Sequence, residues 1–331
     1  MTDPRLSDAV YILPLHTAAE VDPDLEAYLR GLTRHVELVV VDGSPARVFR
    51  AHRNRWPRTV RMLHAPTPPP GANGKVVAVN HAVALTTRPV IVVADADVRY
   101  GIEELAAAVR LVGTADVVRP QNYFDPLPWH ALWDTGRTLV NRVIGSDYPG
   151  TLVVRREAFH GHVLRPDVLF ENLQTIRMVK ALGGTEHRAD DLYVARRPCS
   201  ARHFLRQRVR QAYDSQAQPW RLVAELSLVP LALTVLRDRR RFLGSWLLAM
   251  TLAEIGRRRA GGAAVLPATA TALAPLWLVE RAMTSWLALA LRVTGGCPYA
   301  GRRVRAAADS TRSLRRALAP TRNLTPTKRS A

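Results

Sequence analysis

Val90-Ile91-Val92-Val93-Ala94-Asp95-Ala96-Asp97-Val98-Arg99 is the stretch on which the reading of this chain turns. A continuous, mostly β-branched apolar run stops abruptly at two carboxylates. A run that is apolar on both faces reads as a buried strand of the kind found in parallel sheets. Side chains alternate along a strand, so Asp95 and Asp97 are expected to point the same way at its exposed end. Two adjacent carboxylates repel unless a cation lies between them. Oxygen ligands of this type suit Mg²⁺ or Mn²⁺, which in turn can neutralise a diphosphate. A lone Asp-x-Asp is more often a polar turn that closes a strand, so the surrounding motifs must decide.

The chain has 331 residues, enough for one large domain with appendages or for two domains, and 47% of them are apolar, enough for a core. Its formal charge is +19, carried almost wholly by arginine, since only Lys75, Lys180 and Lys328 are lysines. So basic a chain should meet something acidic: nucleic acid, an anionic membrane surface or a phosphorylated substrate. The arginines gather around apolar segments and in the tail, and no RNA or DNA motif is present, so no nucleic-acid partner is expected. Cys199 and Cys297 match no metal spacing and point to a reducing compartment rather than a disulfide scaffold. The start, Met1-Thr2-Asp3-Pro4, shows no basic-then-apolar leader, so no cleaved secretion signal is expected.

Strand patterns at 10–13, 37–41, 60–63, 90–94 and 116–119 alternate with helical patterns at 24–32, 75–85 and 103–112. The proline-rich segment 66–74 must be a loop. Such alternation predicts an α/β fold with a mostly parallel sheet. After residue 200 the character changes. A helix at 202–213 carries Phe204, Leu205, Val209, Ala212 and Tyr213 on one side and Arg202, Arg206 and Arg210 on the other. That pattern fits a basic helix lying on a membrane and equally an amphipathic helix packed on the domain. Three apolar stretches follow at 222–236, 242–255 and 263–293, separated by the clusters 237–241 and 257–259. A span at 242–255 would leave one basic cluster outside, against the positive-inside tendency. Interfacial or re-entrant segments are therefore expected there, and one spanning helix or helical hairpin within 263–293. The division expected is 1–218 for the α/β domain with its basic helix 201–214, 219–300 for membrane-associated helices, and 301–331 for a disordered basic tail suited to an anionic leaflet.

Four motifs carry the chemistry. Leu38-Val39-Val40-Val41-Asp42-Gly43-Ser44 is a strand ending in a carboxylate, at the sheet edge where α/β folds bind ligands. Gly74-Lys75-Val76-Val77-Ala78-Val79-Asn80 puts a point charge at a helix start, yet it lacks the spacing and the Ser/Thr of a phosphate loop. The Asp95/Asp97 pair is the third. Phe170-Glu171-Asn172-Leu173 opens a helix that stops at Gly183-Gly184. Helix capping alone would also account for Glu171 and Asn172.

In this order, over roughly residues 9–213, the motifs resemble the family 2 glycosyltransferases, whose nucleotide-sugar-binding α/β fold is called GT-A. The resemblance implies that Asp42 binds the nucleotide base and that Lys75, with Asn80, lies along the nucleotide-sugar site. It implies that Asp97 ligates the divalent metal, Mg²⁺ or Mn²⁺, while Asp95 faces the ribose. Pro149-Gly150-Thr151 is similar to the family's acceptor-side glycine turn. Gln207-Arg208-Val209-Arg210-Gln211 is similar to the Gln-x-x-Arg-Trp motif of membrane-bound members, which places Gln207, Arg208 and Arg210 near the diphosphate. Two departures stand out: Asn172 replaces the usual Asp base, leaving Glu171 as the candidate base, and Gln211 replaces the Trp. The activity implied is metal-assisted, inverting transfer of a hexosyl group from a nucleotide-diphosphate sugar to a lipid or lipid-linked acceptor. Its place would be the cytosolic face of the cytoplasmic membrane, in cell-envelope chemistry. The alternative is a catalytically degenerate protein that binds nucleotide sugar or a partner without turnover. Nucleotidyl transfer, which similar sheets also host, is disfavoured by the Gln-x-x-Arg element and the segments that follow it.

Overall fold

In the computed structural model, which describes residues 4–144, 147–299 and 302–319, the run from Val90 lies in the middle of an eight-stranded sheet. The elements run β1 (Ala9–Leu15), α1 (Pro23–Leu32), β2 (Glu37–Asp42), α2 (Ala46–Arg55), β3 (Arg61–His64), α3 (Gly74–Ala84), β4 (Val90–Ala94), β5 (Val98–Arg99), α4 (Ile102–Leu111), β6 (Val117–Phe124), α5 (Trp129–Ile144), β7 (Thr151–Arg155), α6 (Glu171–Ala181) and β8 (Glu186–Arg196). Then follow α7 (Ala201–Tyr213), α8 (Pro219–Leu226), α9 (Leu228–Val235), α10 (Arg239–Arg258), α11 (Ala274–Val293), β9 (Cys297–Tyr299), β10 (Arg302–Val304) and α12 (Thr311–Leu318). The strand order is β3-β2-β1-β4-β7-β6-β8-β5. Strands β1 to β4 are parallel to one another, β6 and β8 are parallel, and β7 and β5 run antiparallel to their neighbours.

The apolar run of β4 is explained by burial on both faces. Val92 and Ala94 join the cluster of Tyr11, Leu13, Leu38, Leu105 and Val109 on one side. Ile91 joins Val10, Ile12, Val39, Val76 and Val79 on the other. Each fully buried Val, Ile or Leu among them stabilises the fold by about 1.5–3 kcal/mol. Helices on both faces are what a largely parallel sheet requires.

The C-terminal helices pack onto this frame. α5 lies between the sheet and α10, with Leu139, Val140, Ala253, Leu266 and Trp277 forming the joint. The approach is close at Gly256, where an added Cβ would lie 1.9 Å from the Leu139 carbonyl oxygen. Arg142 of α5, buried, clamps the layers together. Its guanidinium donates to Gln121 Oε1 on β6 (2.9 Å), to Asp190 O (3.2 Å) and Tyr193 Oη (2.8 Å) on β8, and to Gly256 O (2.9 Å) and Arg259 O (2.5 Å) at the end of α10.

Two expectations for this region are corrected. Among the described residues no helix is long and apolar enough to cross a membrane. The stretch 263–293, read as a span, is instead two short turns followed by α11, whose Arg281, Thr284, Ser285 and Ala288 are buried against the rest of the protein. The basic tail, read as disordered from 301, folds in its first part. β10 pairs with β9, and α12 packs on α6 with Leu314 in the core. Residues 320–331 of that tail lie outside the described residues.

Candidate active site

β4 ends at Ala94, so Asp95 and Asp97 are not brought together by strand alternation. Asp95-Ala96-Asp97 is a turn, closed by a bond from Val98 N to Asp95 O (3.0 Å) and anchored by one from Asp95 N to Gly150 O (2.8 Å). What gathers both carboxylates is Arg196, at the end of β8. Its Nε donates to Asp97 Oδ2 at 2.8 Å and its Nη2 lies 3.4 Å from Asp95 Oδ2. This cation was not anticipated. β8 carries the sequence Glu-His-Arg-Ala-Asp-Asp before its apolar Leu192-Tyr193-Val194, a polar start that hides a strand.

Lys75, in the first turn of α3, completes a chain of charges. The side chain of Asn73 caps the helix by accepting from Lys75 N at 3.0 Å. The Lys75 ammonium touches Asp95 Oδ1 and lies 2.5 Å from Glu171 Oε1. Asn80 lies away from this group, bonded in both directions to the backbone of Leu164 at 2.7 and 3.0 Å. Glu171 starts α6, and its neighbour Asn172 donates to Pro149 O at 2.7 Å. Asn172 therefore holds the Pro149-Gly150 loop. Glycine leaves room for the pair there, since a Cβ on Gly150 would lie 2.8 Å from Asp95 Oδ2 and 3.2 Å from Arg196 Cζ.

Electrostatics separate the two aspartates. Burial works against ionisation of Asp95, but Lys75 and Arg196 outweigh it and hold its carboxyl below the usual range. Burial, with Asp95 as a like charge, pushes Asp97 up against the pull of Arg196. Burial of the Lys75 ammonium is likewise outweighed by Asp95 and Glu171, which raise its proton affinity. Asp97 Oδ1 is buried without a hydrogen-bond partner. Such an atom is costly unless a ligand satisfies it.

Two hollows meet at this pair. Asp97 lines a cleft of about 870 Å³ with His16, Thr17, Asp24, His52 and Arg197. Asp95 and Arg196 line a cavity of about 170 Å³ with Glu171, Gln207, Arg210 and Asp214. Lys75 and Asn80 line neither hollow, nor do Asp42 and Arg208. Asp42 is 0% exposed, and its carboxylate accepts from Ser44 N and meets His52 Nδ1, both at 2.8 Å. It orients His52, which does line the cleft. Arg208 is buried, donating to Asp134 Oδ1 at 3.0 Å and to Gln211, with its guanidinium 4.0 Å from the centre of the Phe204 ring. Arg210, two residues on, faces the cavity instead, its guanidinium 5.3 Å over the Tyr299 ring of β9.

Among the described residues no group of three His, Cys, Asp or Glu side chains is placed to hold a metal ion. The residues present still fit a divalent cation of the Mg²⁺ type. Such an ion is commonly held by one or two carboxylates and completes its shell with substrate phosphates and water. Asp97, with its unpartnered Oδ1, is the residue that would hold it.

No protein-family model and no curated protein sequence matches the chain. Solved structures do align with it, at low identity. The mannosyltransferase PcManGT from Pyrobaculum calidifontis, solved with GDP-Man and Mn²⁺, aligns over 90% of this chain and 79% of its own, at 17% identity and a TM-score of 0.49. Mannosyl-3-phosphoglycerate synthase from Rubrobacter xylanophilus aligns over 61% of this chain and 70% of its own, at 14% identity and a TM-score of 0.39. Glucosyl-3-phosphoglycerate synthase from Mycobacterium tuberculosis, solved with phosphoglyceric acid, aligns over 60% of this chain and 76% of its own, at 16% identity and a TM-score of 0.40.

Proposed function

We propose that this protein is a glycosyltransferase of the family 2 type, moving a hexosyl group from a nucleoside-diphosphate sugar to an acceptor with a divalent cation at Asp97. The observation that supports this best is the position of Asp95, Asp97 and Arg196 on the wall between two hollows of different size. A nucleoside in the larger cleft would bring its diphosphate to Asp97 and its sugar toward Lys75 and Glu171. The cation, when bound, offsets the charge of the leaving diphosphate. Lys75 and Arg210 add fixed positive charge beside it. An acceptor hydroxyl in the smaller cavity attacks the anomeric carbon and gives its proton to Glu171. The bond from that carbon to the diphosphate breaks on the opposite side, so the configuration inverts.

The acceptor in this reading is a lipid or lipid-linked molecule met at the cytosolic face of the cytoplasmic membrane. α8, α9 and α10 turn Trp220, Leu231, Leu236 and Leu247 outward, beside exposed Arg237, Arg239, Arg240 and Arg241. An apolar surface edged by arginine suits the boundary of an anionic leaflet. Flotation with vesicles of phosphatidylglycerol tests this, and failure to float at low salt rejects it.

The donor site is tested by thermal shift with GDP- and UDP-sugars, with and without Mn²⁺. A ligand at a hundred times its dissociation constant stabilises the native state by about 2.7 kcal/mol. Asp97→Ala should lose the metal-dependent shift while keeping the fold. Glu171→Gln should keep the shift and lose transfer. An unchanged metal-dependent shift in Asp97→Ala defeats the assignment. The second reading, donor binding without turnover, is favoured by the Lys75–Glu171 contact, which engages the candidate base; sugar transfer by the wild type rejects it.

A further inference from the structure

The cavity that begins at Asp95 and Glu171 ends at Arg221 and Arg281, two arginines that the reaction above does not use. Arg281 of α11 lines that end and is 1% exposed. Its Nε and Nη1 have no hydrogen-bond partner. The Glu225 carboxylate, 3.9 Å from Arg281 Nε, is already engaged by Arg221 at 3.0 Å and by Ser285 Oγ at 3.0 Å. One carboxylate thus serves two guanidiniums.

The carboxylates that line the cavity are mostly spoken for. Asp134 and Asp147 hold Arg137, Asp134 also holds Arg208, and Asp95 and Glu171 hold Lys75. Burial pushes Asp214 up to about 7, so near neutrality it contributes only part of a charge. A buried guanidinium that shares its one carboxylate and leaves two nitrogens without a hydrogen bond is expensive, and such an arrangement is rare in native proteins. Desolvation brings even Arg281 down to about 10. An anion entering the cavity would find Arg281 and Arg221 at one end and Arg210 on the wall, all lining the same space as Glu171.

We infer that this end of the cavity is a phosphate subsite, in which Arg281, Arg221 and Arg210 hold a phosphomonoester group of the acceptor. Guanidinium forks suit the oxygens of a phosphate, and three of them lining one cavity favour a dianion over a single carboxylate. The inference rests on the transferase reading for the word acceptor, but the subsite itself can be tested apart from it. The phosphomonoester can belong to a soluble molecule or to a lipid headgroup, and the two sources are separable.

The test is calorimetric titration of the full-length protein with glycerol 3-phosphate, and separately with vesicles of phosphatidate in phosphatidylcholine. Glycerol and pure phosphatidylcholine vesicles serve as uncharged or zwitterionic controls. Each titration is run with and without Mg²⁺ and GDP or UDP. Binding of glycerol 3-phosphate identifies a soluble phosphate; binding of phosphatidate vesicles alone identifies a lipid. Arg281→Met should weaken phosphate affinity by about 10- to 100-fold, the worth of a lost charge-assisted contact, and Arg281→Lys should restore part of it. Because Arg281→Met replaces a weakly paired buried charge by an apolar side chain of similar reach, and Glu225 keeps Arg221 and Ser285, its Tm should equal or exceed that of the wild type. No binding of either phosphomonoester, or unchanged phosphate affinity in Arg281→Met, overturns the subsite. A sharply lower Tm with phosphate affinity retained does the same, for it would mean that Arg281 only holds helices together. Asp97→Ala should keep phosphate binding while losing Mg²⁺-dependent nucleotide binding. If the wild type binds no nucleotide, the donor reading fails and the phosphate result still judges the subsite.

Discussion

Asp214 gives the most searching test of the electrostatics inferred for the cavity. Burial of its carboxyl pushes it up to about 7, against the pull of Arg210, Arg281 and Arg221 and with a further push from Glu171. In the unfolded chain an aspartate titrates near pH ~3.9. Between about pH 4 and pH 7 the folded protein therefore binds more protons at this site than the unfolded chain does. Stability from Asp214 is greatest below that window and is lost as pH rises through it. Three pH units at about 1.4 kcal/mol each set a ceiling of about 4 kcal/mol. The side chain keeps a face on the cavity, so water screening reduces the working figure to about 2 kcal/mol. Asp214→Asn removes the titration and keeps the shape. Urea unfolding of both proteins at pH 5, 6, 7 and 8 should show the variant gaining steadily on the wild type up to pH 7 and holding its lead at pH 8. A stability difference that is flat from pH 5 to 8, or one that shrinks, refutes the reasoning.

Other expected outcomes follow from close approaches and buried donors. Gly256→Ala would drive a methyl to 1.9 Å from the Leu139 carbonyl and should destabilise the protein by about 3 kcal/mol, read as a lower Tm. Gly150→Ala would crowd Asp95 and Arg196 and should abolish metal-dependent nucleotide binding while costing little thermal stability; normal binding would show that the pair has room to move. Arg142→Met strands acceptors on β6, β8 and α10 together and should cost about 3 kcal/mol in denaturant unfolding, more than any exposed arginine of α10. Lys75→Met removes the cation between Asp95 and Glu171, leaving Asp95 with Arg196 alone, and should lower Tm; an unchanged Tm would show that the contact is not needed for the fold.

The parallel half of the sheet was legible because its strands are buried on both faces. β1, β2 and β4 announce themselves as apolar β-branched runs, and each ends within two residues of the expected place. α2, α5 and β8 were not foreseen. α2 is largely basic, α5 buries polar residues such as Asp134, Asn141 and Arg142, and β8 opens with charges, so none shows a clean apolar period. The same blind spot hid Arg196. In the candidate site, the sequence order of Lys75, Asp95, Asp97 and Glu171 did foreshadow one cluster. Asp42 and Arg208 were drawn to it by motif alone, while their burial against His52 and Asp134 depends on elements that the pattern did not reveal. The apolar stretch 263–293 was over-read as a span because hydropathy cannot distinguish a lipid-facing surface from one packed on α5 and α7.

The Arg142 clamp settles what the smallest folding unit must be. Two of its five acceptors, the carbonyls of Gly256 and Arg259, come from beyond residue 218. A fragment trimmed there would expose the α5 face and leave a guanidinium half-served in a dry seam. The C-terminal helices are thus a keel rather than an attachment. Because the clamp and the Gly256 crossing allow little sliding, whatever surface those helices rest upon sets the bearing in which the cleft opens.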